Sequence, residues 1–563
     1  MTDPAATGGR VAPGEAGADS SGGRVAPGEA GADSSGGRVA PGEAGRVSRP
    51  DHRSTDVVVL GGGIAGLVAA LECARLGLGV VVLEQSDRPG GCLGRIEVDG
   101  LALDAGAESF ATRNDSVSKL IERLGLADAV ESPNPAGAWL VWGDRNGRRA
   151  ARLPRTGVLG IPANPLGEDV RAIIGWGGAW RAWRDRITPI LKIGRAERLG
   201  PLVRQRMGDA VLDRLVTPIS AGVYSTDPDD LDVDVVAPGL NEAMTRAGSL
   251  SGGVGQLIEA RRAGSAVLGL RGGMHTLVDA LTAELVRFGA EVRTGVRATA
   301  LERRAAAAHG SAATWRAIGE TAPADAGIPL GEPVPVAGGE QPGGVPAGDA
   351  AASVTVDARF AIVATPAHVS RALLAGIAPA GALAEDWPAA ASVELVTLVL
   401  DAPELDAAPR GTGVLVAAGT PGVTAKALTH SSAKWPWLAE AAGGRHVVRL
   451  SYGRAGAASP LEGLGDDAVA ELALRDASAL LGVDLDASQL RAHGRSAWRD
   501  ALSQAAVGQR ARVRALETAL EHDEDLALAG SWVAGTGLAS VVPQAIEAAE
   551  RIRRRSLRLA EDA

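Results

Sequence analysis

The chain has 563 residues and a net charge of −10, and almost all of its basic side chains are arginine. Such a length holds more than one domain, and an acidic balance without a basic run speaks against nucleic acid as a partner. The two cysteines, Cys73 and Cys92, cannot build a disulfide framework and have no metal-ligand neighbours, so no metal is expected. No apolar run reaches the length of a membrane span.

Residues 8–45 repeat GGRVAPGEAGADSS, a composition too small and polar to offset chain entropy by burial. Residues 1–53 therefore read as a disordered tail. Order begins with Thr55 to Gly91. The apolar run Val57 to Leu60 reads as a buried strand, Ile64 to Leu76 as a helix, and Val80 to Leu83 as a second strand closed by Glu84. Gly61, Gly63 and Gly66 occupy the first turn of this βαβ unit. They suit a tight turn, close approach of backbone to a pyrophosphate, and helix-on-strand packing. The helix N-terminus favours phosphate, and Glu84 is placed to accept from ribose hydroxyls. Cys73 reads as a small core residue on the helix. Cys92 follows Gly90-Gly91 and is read as structural rather than redox-active.

Ser116 to Leu126 is a helix by its apolar spacing, and Ala138 to Trp142 a strand. Val170 to Ile193 carries Trp176, Trp180 and Trp183 among Arg171, Arg181, Arg184 and Arg186. That mixture suits a membrane surface or a partner helix; the commoner arrangement, and the expectation here, is tryptophans packed inward and arginines in solvent. Glu197 to Leu215 continues helical until Pro218, which is expected to end it. Thr276 to Phe288 is a helix leading into the strand Ala290 to Val296. Residues 305–351, rich in Ala, Gly and Pro, read as a disordered insert in a hairpin connection, where added length is thermodynamically cheap. Val354 to Pro366 resumes the sheet. Ser392 to Leu400, Gly413 to Val416, Thr424 to Thr429 and Val447 to Tyr452 predict a second, mostly antiparallel sheet. Asp466 to Leu481 is an amphipathic helix. The last strand is Leu526 to Ala529, the last loop Gly530 to Val542, and the closing helix Gln544 to Leu559. Gly535 and Gly537 before it repeat the logic of the opening glycines.

Glu84 followed by Gln85, Arg88 and Gly90-Gly91 resembles the flavin signature of glutathione-reductase-like FAD proteins. Asp104 to Phe110, Met207-Gly-Asp with Pro218 to Tyr224, Arg271 to Met274, Thr429 to Pro436 (THSSAKWP) and Gly535 to Val542 extend the likeness. In this order they resemble the oxygen-dependent FAD coproporphyrinogen III and protoporphyrinogen oxidases of actinobacterial type. Two departures stand out. Ser503-Gln504-Ala505 and Gly508-Gln509 replace the family's Pro-Gln-Tyr and Gly-His, and Asn114 stands where a basic residue is usual.

The resemblance implies an α/β fold: a Rossmann-like FAD-binding domain with a mixed-sheet substrate domain and a helical subdomain. The flavin domain would comprise 54–130, 262–304, 352–375 and 508–559, and the substrate and helical part 131–261 and 376–507. Non-covalent FAD is implied, contacted by Gly61, Gly63, Gly66, Glu84, Gln85, Arg88, Gly91, Val296 (backbone to adenine), Gly535 and Gly537. The last loop has no Cys, His or Tyr for covalent attachment. The implied partners are a porphyrinogen and dioxygen, with a ferrochelatase-type pathway neighbour. The implied reaction is a three-round, six-electron oxidation releasing hydrogen peroxide, in haem biosynthesis. Aromatisation supplies much of the driving force, and no residue is singled out as catalytic base. Arg113 and Lys434 are the candidates for substrate carboxylates, with Arg152 and Arg155 behind them. The expected location is cytoplasmic, with peripheral membrane contact as the alternative. Rival readings are protoporphyrinogen IX oxidation, an amine oxidase (whose flavin-facing Lys is missing from Ser392 to Leu400), a carotenoid desaturase, and a flavin-free binding module of the GDP-dissociation-inhibitor type.

Overall fold

The fold grows from β1 (Asp51–Leu60), α1 (Ile64–Ala74) and β2 (Val80–Leu83). The two strands are parallel, pairing Val57 with Val80 and Leu60 with Leu83. Both faces of the pair are covered, so Val57 to Leu60 and Val80 to Leu83 are all buried, as a parallel sheet requires. In this computed structural model the described residues are 51–561, except 145–146, 155–156, 191–194, 261–266, 305–314, 322–333, 336–351, 384–386, 388–390, 456 and 503–504. Residues 1–50 of the expected tail, much of the expected insert, and Arg155, Ser503 and Gln504 lie outside them.

The sheet around β1 has seven strands. From one edge run Glu291–Arg293, β2, β1, Ser353–Val363, Trp315–Thr321 and Val296–Arg303, with Leu526–Leu528 also pairing Ser353–Val363. Its parallel part is joined to an antiparallel meander made by the strands at 296–303, 315–321 and 353–363. On one face α1 packs in a single apolar core with Leu538–Glu561 and His275–Arg287. A second sheet has eight strands, among them Leu490–Leu502, Ala391–Leu400, His446–Tyr452, Ala427–His430, Gly413–Val416, Ala138–Asp144 and Gly147–Arg152. Within this sheet the pair formed by Gly413–Val416 and Ala138–Asp144 is parallel. Helices from Glu168–Trp183 to Leu250–Glu259 pack in an apolar cluster of their own against one end of it.

Five expectations change. β1 starts at Asp51, inside the expected tail: residues 51–55 pair with 354–358, and Asp51 takes an ion pair from Arg293. Trp315–Thr321, inside the expected insert, is a sheet strand with Trp315 and Ala317 fully buried. Its alternation was masked by the flanking low-complexity sequence. Pro218 does not end a helix. It lies in the first turn of Thr217–Val223, where its missing N–H has no intrahelical partner to lose, directly after a π-helical turn at Leu212–Val216.

The closing helix begins at Leu538, six residues before the expected start, and holds Pro543 inside it. Proline cannot donate to the carbonyl four residues back, and the Ala539 carbonyl instead accepts from Asn114 Nδ2 at 2.8 Å. Finally, Trp176 and Trp180 point outward, 61% and 53% exposed. A non-helical Gly175 breaks the helix just before them, and the buried face is made by Val170, Ile173, Ile174, Ala179 and Ala182. Arg181, Arg184 and Arg186 are exposed, as expected, and two of them also hold backbone. Arg181 donates to the Arg206 and Gln205 carbonyls at the end of Leu199–Met207, and Arg186 to the Ala163 carbonyl.

Trp315→Ala is expected to destabilise the protein by about 3–5 kcal/mol, the usual loss for deleting a fully buried indole. Denaturant unfolding measures it; an unchanged midpoint would show that the strand at 315–321 is not part of the core.

Candidate active site

The first turn of the βαβ unit is shaped by what a side chain would strike. Gly61 has φ +105°, and a Cβ there would sit 2.7 Å from the Ala364 carbonyl oxygen. A Cβ on Gly66 would come within 1.9 Å of the Gly61 carbonyl oxygen. Gly63 faces open space: a Cβ there would meet nothing within 4 Å. No side chain caps α1 and its first turn holds no acid. Leu67 is the first to bond back, to Gly63, so the N–H groups of Ile64, Ala65 and Gly66 have no acceptor within the helix. Free N–H groups, positive dipole and an open glycine form an anion seat. Gly90 donates to the Gly62 carbonyl, and Gly91, at φ +54°, lies against Gly63. The Gly pair therefore forms one wall of the same seat.

Glu84 is buried at its edge. Its carboxylate accepts from the Gly62 N–H at 2.7 Å and the Ser86 N–H at 2.8 Å. Each oxygen keeps a lone pair beyond those bonds, so the carboxylate is oriented and still able to accept. Gln85 and Arg88 are exposed, and Arg88 has only a loose 3.9 Å contact with Asp87. Val296 is buried, and its N–H donates to the Glu84 carbonyl within the sheet. Its adenine contact, as expected from the resemblance, would have to compete with that bond.

Gly535 and Gly537, at φ +97° and +92°, lie between the short helix Ser531–Ala534 and the N-terminus of Leu538–Glu561. Arg113 donates to Ser540 Oγ there, beside the Asn114 bond to Ala539. Tyr224, half-buried at the end of Thr217–Val223, feels the Arg113 charge; burial raises its phenol and Arg113 opposes that rise. Three distant stretches, around residues 113, 224 and 540, thus converge. Cys92 has exposed area yet is walled in by protein, which raises its thiol. A side chain on the wall of a deep cleft has both properties.

Lys434, a candidate from the sequence, belongs to a buried charge cluster whose other members, Glu108 and Arg449, the resemblance did not single out. Glu108 accepts from Lys434 Nζ at 2.5 Å and Ser431 Oγ at 3.2 Å, and is ion-paired with Arg449 at 3.1 Å. Arg449 also donates to the carbonyls of Asp104 and Gly106. Asp104 accepts from the N–H groups of Met274 and His275 and pairs with His275 Nδ1, each at 3.0 Å. Burial pushes the Glu108 carboxyl up, but Lys434 and Arg449 outweigh it and hold the group down at about 2. Asp104, Glu108 and Arg449 line a small cleft together with Thr397, Trp435 and Trp437, and with Lys434 the two carboxylates and two cations balance. Lys434 is therefore not an open cation; it is engaged by Glu108 and stacked near Trp435. Arg152 lies near Trp139, away from this cluster. Gln509 is buried at the start of its helix. Arg449 had a sequence signal, a lone charge in the apolar strand HVVRLSY. Glu108 had none beyond its place in the Asp104 to Phe110 turn.

Glu108→Ala strands two buried cations and is expected to destabilise by about 3–5 kcal/mol. In the wild type the folded-state value lies below the ordinary 4.5. The carboxylate's contribution is therefore complete above about pH 4.5 and disappears as pH falls toward about 2. Unfolding free energy followed from pH 6 to 3 should fall less steeply in Glu108→Ala than in the wild type; parallel curves would refute the assignment.

The family of flavin containing amine oxidoreductases matches residues 64–331 and 341–553. A protein named coproporphyrinogen III oxidase from Propionibacterium freudenreichii is 27% identical over 546 residues, covering 89% of this chain and 92% of its own. One of the same name from Mycobacterium bovis is 29% identical, covering 88% and 95%. The crystal structure of an Exiguobacterium sp. 255-15 protein, provisionally named a protoporphyrinogen oxidase, superposes with a TM-score of 0.70 at 23% identity, over 89% of this chain and 99% of that one. The anion seat, the oriented acid and the second glycine-led helix agree with those matches, and the chain belongs to the flavin containing amine oxidoreductase family.

Proposed function

We propose that the chain is an FAD-dependent oxidase that converts coproporphyrinogen III to coproporphyrin III with dioxygen as acceptor. One observation carries the reading: an open backbone anion seat with an oriented acid at its edge, in a chain matched along 88–89% of its length by proteins named for that reaction. The residues present fit the cofactor. The uncapped α1 and the open Gly63 would take the pyrophosphate, Glu84 the ribose hydroxyls, and Arg88 the remaining phosphate charge. Gly535 and Gly537 let the second helix approach from the other side. Non-covalently bound FAD supplies hydride acceptance and the return of electrons to dioxygen.

The protein's own part is placement and charge. The guanidinium of Arg113, exposed beside Tyr224 and Ser540, suits a propionate by its bidentate fork. Lys434 and Arg449 are both engaged by Glu108, so the substrate carboxylate is assigned to Arg113. Glu108 stays ionised, accepts from Lys434 and Ser431, and is ion-paired with Arg449. It orients its cations and does not accept the pyrrole proton, whose loss aromatisation favours.

The same reading includes a peripheral contact with an anionic lipid surface through the outer face of Glu168–Trp183. Indole rings suit the membrane interface. Trp176, Trp180 and Ile187 are exposed there beside Arg184.

Anaerobic absorbance of the purified yellow protein tests the reaction. Coproporphyrinogen III should bleach the flavin and amines should not; a flavin bleached by neither coproporphyrinogen nor protoporphyrinogen sinks the assignment. Faster bleaching by protoporphyrinogen IX would move it to the two-carboxylate substrate. Arg113→Ala should raise KM for coproporphyrinogen about ten-fold or more, as loss of a bidentate charge contact does. Co-sedimentation with phosphatidylglycerol vesicles should fall in a Trp176→Ser, Trp180→Ser double variant. Equal sedimentation of both proteins would remove the lipid contact.

A further inference from the structure

Lys426 is 2% exposed, at the foot of the strand Ala427–His430. Burying an ammonium is costly unless it is paired, yet its bonds go to neutral groups. Nζ donates to Ser225 Oγ and, at 2.7 Å, to the Gly453 carbonyl. Among the described residues no carboxylate lies within ion-pair distance of it. Ser225 is itself unusual: it is buried and holds φ +54°, a left-handed conformation uncommon outside glycine. Its carbonyl accepts from the Ala455 N–H at 2.8 Å. The receiving loop is rigid in turn. Gly453 has φ +83°, and a Cβ there would meet the Ser392 carbonyl oxygen at 2.4 Å. Both outward-facing groups of Ser225 are thus clamped by one stretch of the sheet. The residue before it is Tyr224, which ends Thr217–Val223 and feels the Arg113 charge.

We infer that Lys426 is a positioning residue for substrate binding: through Ser225 it locks the left-handed corner that aims Tyr224 at the Arg113 side of the cleft. This rests on the reading above that Arg113 meets the substrate. Burial, helped by the nearby Arg454, brings the Lys426 amine down to about 7. A neutral amine has two N–H groups, enough for both acceptors, so the lock does not depend on the charge. On its other side the same strand entry is held by Asp476, which accepts from Thr424, Ala425 and Tyr452 and faces those groups.

Two variants test it on the FAD-loaded enzyme: Lys426→Met, which keeps the volume and removes the donors, and Ser225→Ala, which removes only the hydroxyl. Both should raise KM for coproporphyrinogen III about ten-fold with kcat changed less than about three-fold. The flavin spectrum should be unaltered. A second readout needs no substrate. The chain has two tyrosines, and Tyr452 is fully buried on Asp476. With [13Cζ]tyrosine, the Tyr224 resonance should titrate above the ordinary phenol range in the wild type and at lower pH in both variants. Wild-type KM together with a wild-type Tyr224 titration in Ser225→Ala would overturn the inference, whether or not Lys426→Met folds. If the wild type itself does not turn over porphyrinogen, the functional reading has failed, and the Tyr224 titration alone then decides the lock.

Discussion

Everything in the site hangs on one buried carboxylate. Glu108 comes from the turn after the hairpin of Arg95–Val98 and Leu101–Asp104, Ser431 and Lys434 from the short helix Ser431–Lys434, and Arg449 from the strand His446–Tyr452. An unpaired carboxylate there would be expelled or protonated. Two unpaired cations would be equally unstable. Only together are the three groups tolerable, so the turn at 104–110 and the strand at 446–452 have one mutual arrangement. Arg449 tightens it by bonding to the backbone of that turn, and Asp104 passes the constraint on to the helix His275–Arg287. The geometry of the cleft is a by-product of satisfying charge.

The cofactor seat works by the opposite means. It contains few charges and is built from positions where a side chain cannot be. Gly61 and Gly66 are excluded from carrying a Cβ by carbonyl oxygens, and Gly63 is left clear. An uncapped helix would be a defect elsewhere; here the missing cap is the binding surface. A backbone seat holds any ligand with the same phosphate geometry, which explains how one architecture supports different chemistries. Reduced UDP-galactopyranose mutase, at 13% identity, still superposes with a TM-score of 0.60.

That division also sets what could be read from the residues in order. The βαβ unit was legible because strand period, glycine spacing and terminal acid are local signals that agree. Asp466–Leu481 was legible for the same reason, from its amphipathic period. The Glu108 cluster was not, because Glu108 lies more than three hundred residues from Lys434 and Arg449, and the lone charge in HVVRLSY does not name its partner. Trp315–Thr321 was hidden by composition: a seven-residue strand set in a long run of Ala, Gly and Pro. The outward tryptophans were misjudged because Gly175 shifts the helical phase by a break that periodicity cannot register. Lys426 gave no warning, since a single lysine in a strand usually reaches solvent.

Pro543 and Asn114 make a pair of another kind. The proline leaves a gap in the hydrogen-bond ladder of the closing helix, and an amide from far away in sequence fills it. Each residue is acceptable only because of the other. A side chain without a donor at position 114 would leave that carbonyl open, at the very helix end that Arg113 touches.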